Sequence, residues 1–213
     1  MISGVKEIIT DEIPLSERSV EIDAITENAL LREITKYLKR TLTKHPELKA
    51  LSAPAIGYQK RIFCMRFDKD DIKTFINPVI GTQSGLDLSR ESCSSIPGKE
   101  FIRVRTNDIH IIYQRPTGQV ETRELMGLAA KVFQHEMDHL DGILLSDVGL
   151  ELWPEFDTAT DEEREEVINE YLSSLDIKLN AVKKEIEEDP ELTEIVNASK
   201  FIEGVYKGEI QQQ

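Results

Sequence analysis

A chain of 213 residues, 39% hydrophobic and 31% charged, is large enough for one domain with a real core plus an appendage, and too apolar for a disordered polymer. Its formal charge of −14 speaks against loose electrostatic binding to nucleic acid or anionic membrane, and no run of about 18 apolar residues is present to span a bilayer. The charge is uneven: residues 151–213 carry 18 Asp/Glu and 6 Lys/Arg, whereas the preceding residues carry 22 and 20, so composition divides the chain near residue 150 into a nearly neutral body, 1–150, and an acidic tail, 151–213.

From the N-terminus, MISGVKEIITDEIP has neither the basic-then-apolar order of a secretion signal nor the Arg/Ser-rich character of a transit peptide, which predicts a cytoplasmic protein. The two cysteines, Cys64 and Cys93, then read as free thiols. Over residues 24–45, apolar residues recur at Ala29, Leu30, Ile34, Tyr37, Leu38 and Leu42, a helical period with a solvated far face. RIFCMRF, TFINPVI, DIHIIYQ and GQVETREL read as strands, with RPTG (115–118) as a hairpin turn between the last two. Residues 124–142 read as a second helix, because Leu125, Leu128, Val132, His135 and His139 continue one inward stripe, and Gly142 is its stop signal. These elements predict an α+β fold, with mixed or antiparallel strands around a central helix. In the tail, Thr160 with Glu163 three residues on forms a capping box, and Ile168, Leu172, Leu175, Leu179, Val182 and Ile186 make a heptad-like seam. Pro190 interrupts it before a possible further helix at residues 191–208. The seam fits packing against the chain's own body, or self-association or a partner contact.

The chemistry is concentrated in QHEMDHL, residues 134–140. Residues i and i+4 of a helix share a face, so His135 and His139 can grip one cation, while Glu136, turned by about 100°, stands beside it as a base. Two imidazoles need a third donor. No histidine follows His139, the downstream glutamates lie in the charged tail, and HLDGILLSD lacks the further histidine of the metzincin pattern. Upstream, SRESCSSIPG offers Cys93, read as a loop residue, whose thiolate with two imidazoles would leave a tetrahedral ion one open position. Residue types favour zinc or iron without choosing between them. Cys64, His45 and His110 have simpler readings as a buried small residue, a helix-end residue and a strand residue.

Three segments in order, ALSAPAIG (50–57), ESCSSIPG (91–98) and QHEMDHLDG (134–142), resemble the peptide deformylase motifs G-x-G-L-A-A-P-Q-x-G, E-G-C-L-S and Q-H-E-x-D-H-L-x-G. The resemblance covers about residues 1–150 and implies a metal-dependent hydrolase that removes the formyl group from N-formylmethionyl peptides. It implies Cys93, His135 and His139 as ligands of one divalent ion, Fe(II) or Zn(II), with Ni or Co able to substitute. It further implies Glu136 as the base, the Ser94 backbone N–H as a donor to the carbonyl oxygen, and Ala50, Ala55 and Ser92 in the peptide groove. Glu91 is read as a supporting acid, paired with Arg105. The partner implied is an N-formylated peptide; direct nucleic-acid or membrane contact is not expected. The chain departs from the motifs where Ala55 replaces the glutamine whose side chain holds the substrate oxygen, where Leu48, Ala50 and Ser92 replace glycines, and where Ser94 replaces leucine. Slowed deformylation, another N-acyl substrate, and a catalytically silent metal-binding homologue with a regulatory or scaffolding tail all stay open at this stage.

Overall fold

The computed structural model describes residues 5–188, which divide into two compact units at the bond between Leu152 and Trp153. In the first unit the elements run α1 (Glu12–Leu15), α2 (Asn28–Lys44), β1 (Ala50–Ser52), a 3₁₀ turn (Pro54–Ile56), β2 (Ile62–Asp68), β3 (Asp71–Cys93), β4 (Ile96–Gln114), β5 (Val120–Met126), α3 (Leu128–Asp141), α4 (Leu145–Val148) and β6 (Leu150–Glu151). The strands form an antiparallel sheet in the order β1-β2-β3-β4-β5, with β6 added to β4. The fold is thus α+β with antiparallel pairing, as the alternation of patterns predicts.

The sheet has two apolar faces because β2 is buried on both. Ile62 and Cys64 join Leu31, Ile34, Leu38 and Leu42 of α2 on one side; Phe63 and Met65 join Phe75, Ile111, Tyr113 and Phe133 on the other. Alternation along a strand sends successive side chains to opposite faces. Phe133, from α3, meets Phe63 and Phe75 edge-on at ring-centroid distances of 5.0 and 5.3 Å. Full burial of such a ring contributes about 1.5–3 kcal/mol, so this cluster seats α3 on the sheet.

Two local readings are corrected. Residues 124–126, placed in the second helix by their period, belong to β5, where Leu125 pairs with Ile109. Gly127, at φ 57°, ψ −130°, separates strand from helix in a conformation that suits glycine alone, so the helical stripe cannot pass through it. Cys93 is not a loop residue: it is the last residue of β3, opposite Ile96, across a turn made by Ser94 and Ser95. The polar run GTQSGLDLSRES stays extended in one long hairpin with β4 because its side chains are mostly exposed, and register shifts at Ile76/Val79 and Ile80/Gln83 bend it.

In the second unit, Trp153 packs edge-on against Phe156 at 4.9 Å, and α5 (Asp161–Glu188) starts at the predicted capping box. There the Glu163 N–H donates to Thr160 Oγ1 at 3.2 Å and the Thr160 N–H to Glu163 Oε2 at 2.8 Å. The residues of the suggested later helix, 191–208, lie outside the described residues, as do the side chains of the distal half of the seam.

Candidate active site

Helix α3 buries Gln134, Glu136 and His139 and brings His135 to the same cleft as Glu136 and His139. It is held in register by Gln134, whose side chain exchanges hydrogen bonds with the backbone of Thr106 in β4: Nε2 donates to the Thr106 carbonyl at 2.7 Å, and Oε1 accepts from the Thr106 N–H at 3.0 Å. Such a paired contact fixes both the rotation and the height of the helix. Sequence reading left Gln134 off the inward face; its position directly before His135 was the available signal.

With α3 so fixed, the rings of His135 and His139 lie at a centroid distance of 5.0 Å and face the end of β3. Cys93 Sγ is 3.2 Å from His139 Nε2, and one donor atom from each of Cys93, His135 and His139 lies within 4.8 Å of the others. Burial pushes the Cys93 thiol up, but hydrogen bonds from His135 and His139 outweigh it and bring the group from 9.0 down to about 5. Conversely, burial pushes His135 down, and its contacts with Cys93 and Glu91 carry it up to about 10. Both imidazoles converge on the sulfur, and one sulfur with two nitrogens suits a tetrahedral transition metal with one open position.

Behind the trio is a buried ion network. Glu91 Oε2 accepts from His135 Nδ1 at 3.0 Å, which leaves Nε2 facing the site. Arg105 grips Glu91 through Nε at 2.8 Å and Nη2 at 2.9 Å, and reaches Asp138 through Nη1 at 2.6 Å. The pairing of Glu91 with Arg105 is the one read from sequence; Asp138 completes it from α3 itself. Burial alone would raise the Glu91 carboxyl, yet Arg105 and His135 hold it at about 2, so it stays ionised.

Glu136 is 5% exposed. Burial, only partly countered by the nearby histidines, raises its carboxyl above the ordinary range, as a proton acceptor working near neutral pH requires. It lines a cleft of about 420 Å³ together with Cys93, His135 and His139. The other residues singled out from sequence, Ala50, Ala55, Ser92 and Ser94, line the same cleft. Ala55 is in the Pro54–Ile56 turn, 2% exposed, with a side chain too short to donate anything. Leu128 and Val132 supply apolar wall. Ser52, which sequence reading passed over, also lines the cleft, fully buried. A larger hollow of about 850 Å³, lined by Gln134, Met137, Asp138 and Asp141 of α3, contains neither Cys93, Glu136 nor either histidine of the trio. His45 and His110 line neither cavity; His45 pairs with Glu47 at 3.0 Å.

The chain is similar to known proteins of one family. The family model described as polypeptide deformylase matches residues 5–150. The peptide deformylase of Dictyoglomus thermophilum is 33% identical over 137 residues, 64% of this chain and 87% of that one. That of Synechococcus sp. (strain RCC307) is 30% identical over 125 residues, 56% of this chain and 62% of the relative, so the match spans less than two thirds of that protein. The crystal structure of the Thermotoga maritima peptide deformylase superposes with a TM-score of 0.61 at 31% identity, covering 67% of this chain and 96% of that one.

Proposed function

The chain belongs to the polypeptide deformylase family, and from that premise we propose that it hydrolyses the N-formyl amide of N-formylmethionyl peptides, releasing formate and a free amino terminus. The observation that carries the reading is the convergence of Cys93, His135 and His139 beside the buried carboxyl of Glu136. The three donors would hold one divalent cation, iron(II) or zinc(II), with nickel or cobalt able to replace it. Such a cation supplies Lewis acidity that makes water nucleophilic near neutral pH. Glu136 removes a proton from the attacking water as its oxygen bonds to the formyl carbon, then delivers that proton to the amine nitrogen as the C–N bond breaks. Glu91 keeps His135 in a single tautomer, and Arg105 and Asp138 keep Glu91 in place. Negative charge growing on the carbonyl oxygen is met by the Ser94 backbone N–H, with Ser92 and Ala50 bordering the bound peptide. Ala55 supplies no second donor, and loss of one such donor costs about 10²–10³ in turnover. The proposed reaction is therefore a slow deformylation.

Among the described residues no helix is long and apolar enough to cross a membrane, and the reading places the enzyme in the cytoplasm, where its partner is a newly made formylated peptide. The deciding measurement is formate release from a formyl-Met peptide by the iron- or nickel-loaded full chain, with Glu136→Gln as control. Turnover in the parent, with a fall of at least about 10²-fold in the variant, is expected. Equal rates in the two proteins, or no turnover in the parent, would refute the reading.

A further inference from the structure

One buried polar group in the cleft has no task in the mechanism above. Ser52 ends β1, pairing with Phe63. Leu51 joins the α2 side of the core and Ala50 the α3 side, so alternation points Ser52 toward α3. Its side chain is fully buried, yet Oγ has no hydrogen-bond partner in the protein. Buried hydroxyls are nearly always satisfied, so an orphan inside a cleft calls for a functional explanation. Ser52 and Glu136 are both buried and line the same cleft, close enough for their side chains to interact. The related motif has alanine at this position and glutamine where Ala55 stands, so this chain gains a hydroxyl three residues before the amide it lacks.

Resting on the deformylase reading, we propose that Ser52 is a positioning residue: its hydroxyl donates to one oxygen of Glu136 and holds the other toward the water that attacks the formyl carbon. A serine hydroxyl has three staggered χ1 positions and turns about its O–H bond, so a change of rotamer completes the bond. A carboxylate anchored at one oxygen keeps one orientation for proton transfer, where a free one would sample several. Replacement of the hydroxyl slows the chemical step and leaves substrate binding alone.

The test has an arm that does not need turnover. Ser52→Ala, Glu136→Leu and the double variant of the full chain are unfolded in urea; alanine is the residue of the related motif, so Ser52→Ala is accommodated by the fold. The expected result is non-additivity of about tenfold in the unfolding equilibrium constant, since the two groups act as a pair. Additivity within about twofold would overturn the pairing. In the kinetic arm, Ser52→Ala lowers kcat about tenfold with KM within about twofold, and has no further effect in a Glu136→Gln background. A rise in KM would assign the hydroxyl to the substrate oxygen instead and overturn the proposal. If the parent chain releases no formate, the deformylase reading fails, while the urea cycle still decides whether Ser52 and Glu136 are coupled.

Discussion

Alanine at position 55 is the departure with the clearest chemical consequence. It lines the cleft, buried, together with Cys93, His135 and His139, at the position where the related motif has glutamine. Ala55→Gln is expected to raise kcat/KM for formyl-Met peptides by about 10²-fold, the reverse of deleting an oxyanion donor. An unchanged rate, in a variant with unchanged metal content, would mean that the site already meets that oxygen in another way. Glu91 is the second residue with a separable role. Its side chain is 9% exposed and shares its oxygens between Arg105 and His135, which lets it orient that imidazole. Glu91→Gln should weaken metal affinity about 10–100-fold in chelator competition, with a smaller effect on KM.

At the scale of elements, the site depends on one helix being stopped and aimed. Gly142 ends α3 at φ 73°, and its N–H reaches back to the carbonyls of Asp138 and His139. A Cβ there would lie 2.5 Å from the Ser16 carbonyl oxygen, a backbone atom with no easy retreat. Left-handed strain plus that collision should make Gly142→Ala destabilising by about 2–4 kcal/mol, read from urea denaturation. Because the last turn of α3 holds His139, metal binding should weaken with it. The long β3–β4 hairpin is the other half of the device: its closed end carries Cys93 to the helix, and a strand end bound by ladder hydrogen bonds positions a ligand more firmly than a loop.

For the whole molecule, the two thiols have opposite fates in one fold. Hydrogen bonds from His135 and His139 bring the Cys93 thiol from 9.0 down to about 5, whereas burial pushes the Cys64 thiol from 9.0 up to about 11. In the unfolded chain Cys64 ionises from about pH 9; in the folded core it resists until about pH 11. Its contribution to stability is therefore complete below pH 9 and is lost as pH rises from 9 to 11, at about 1.4 kcal/mol per pH unit. Urea midpoints taken between pH 8 and 10.5 should fall more steeply for the parent than for Cys64→Ala; parallel slopes would remove Cys64 from the alkaline response. The net charge of −14 is concentrated in residues 151–213, outside the family match at 5–150, so the charge of the chain as a whole says little about the cleft.

The sequence by itself was enough to name Cys93, His135 and His139, the three donors that the fold brings together. His135 and His139 are four residues apart on a local helix, and Cys93 stands in a short motif; each needs only neighbouring residues to be recognised. The helices, the RPTG turn and the Gly142 stop were legible for the same reason, since period and backbone preference are local properties. Only the tertiary structure decided that Cys93 ends a strand, that Gln134 locks α3 to β4, that Asp138 joins the Glu91–Arg105 pair, and that Ser52 stands buried beside Glu136. Apart from the Cys93 turn, those facts rest on contacts between residues dozens of positions apart, and a side chain's partner across a sheet is set by register and helix rotation rather than by its own neighbours in the chain.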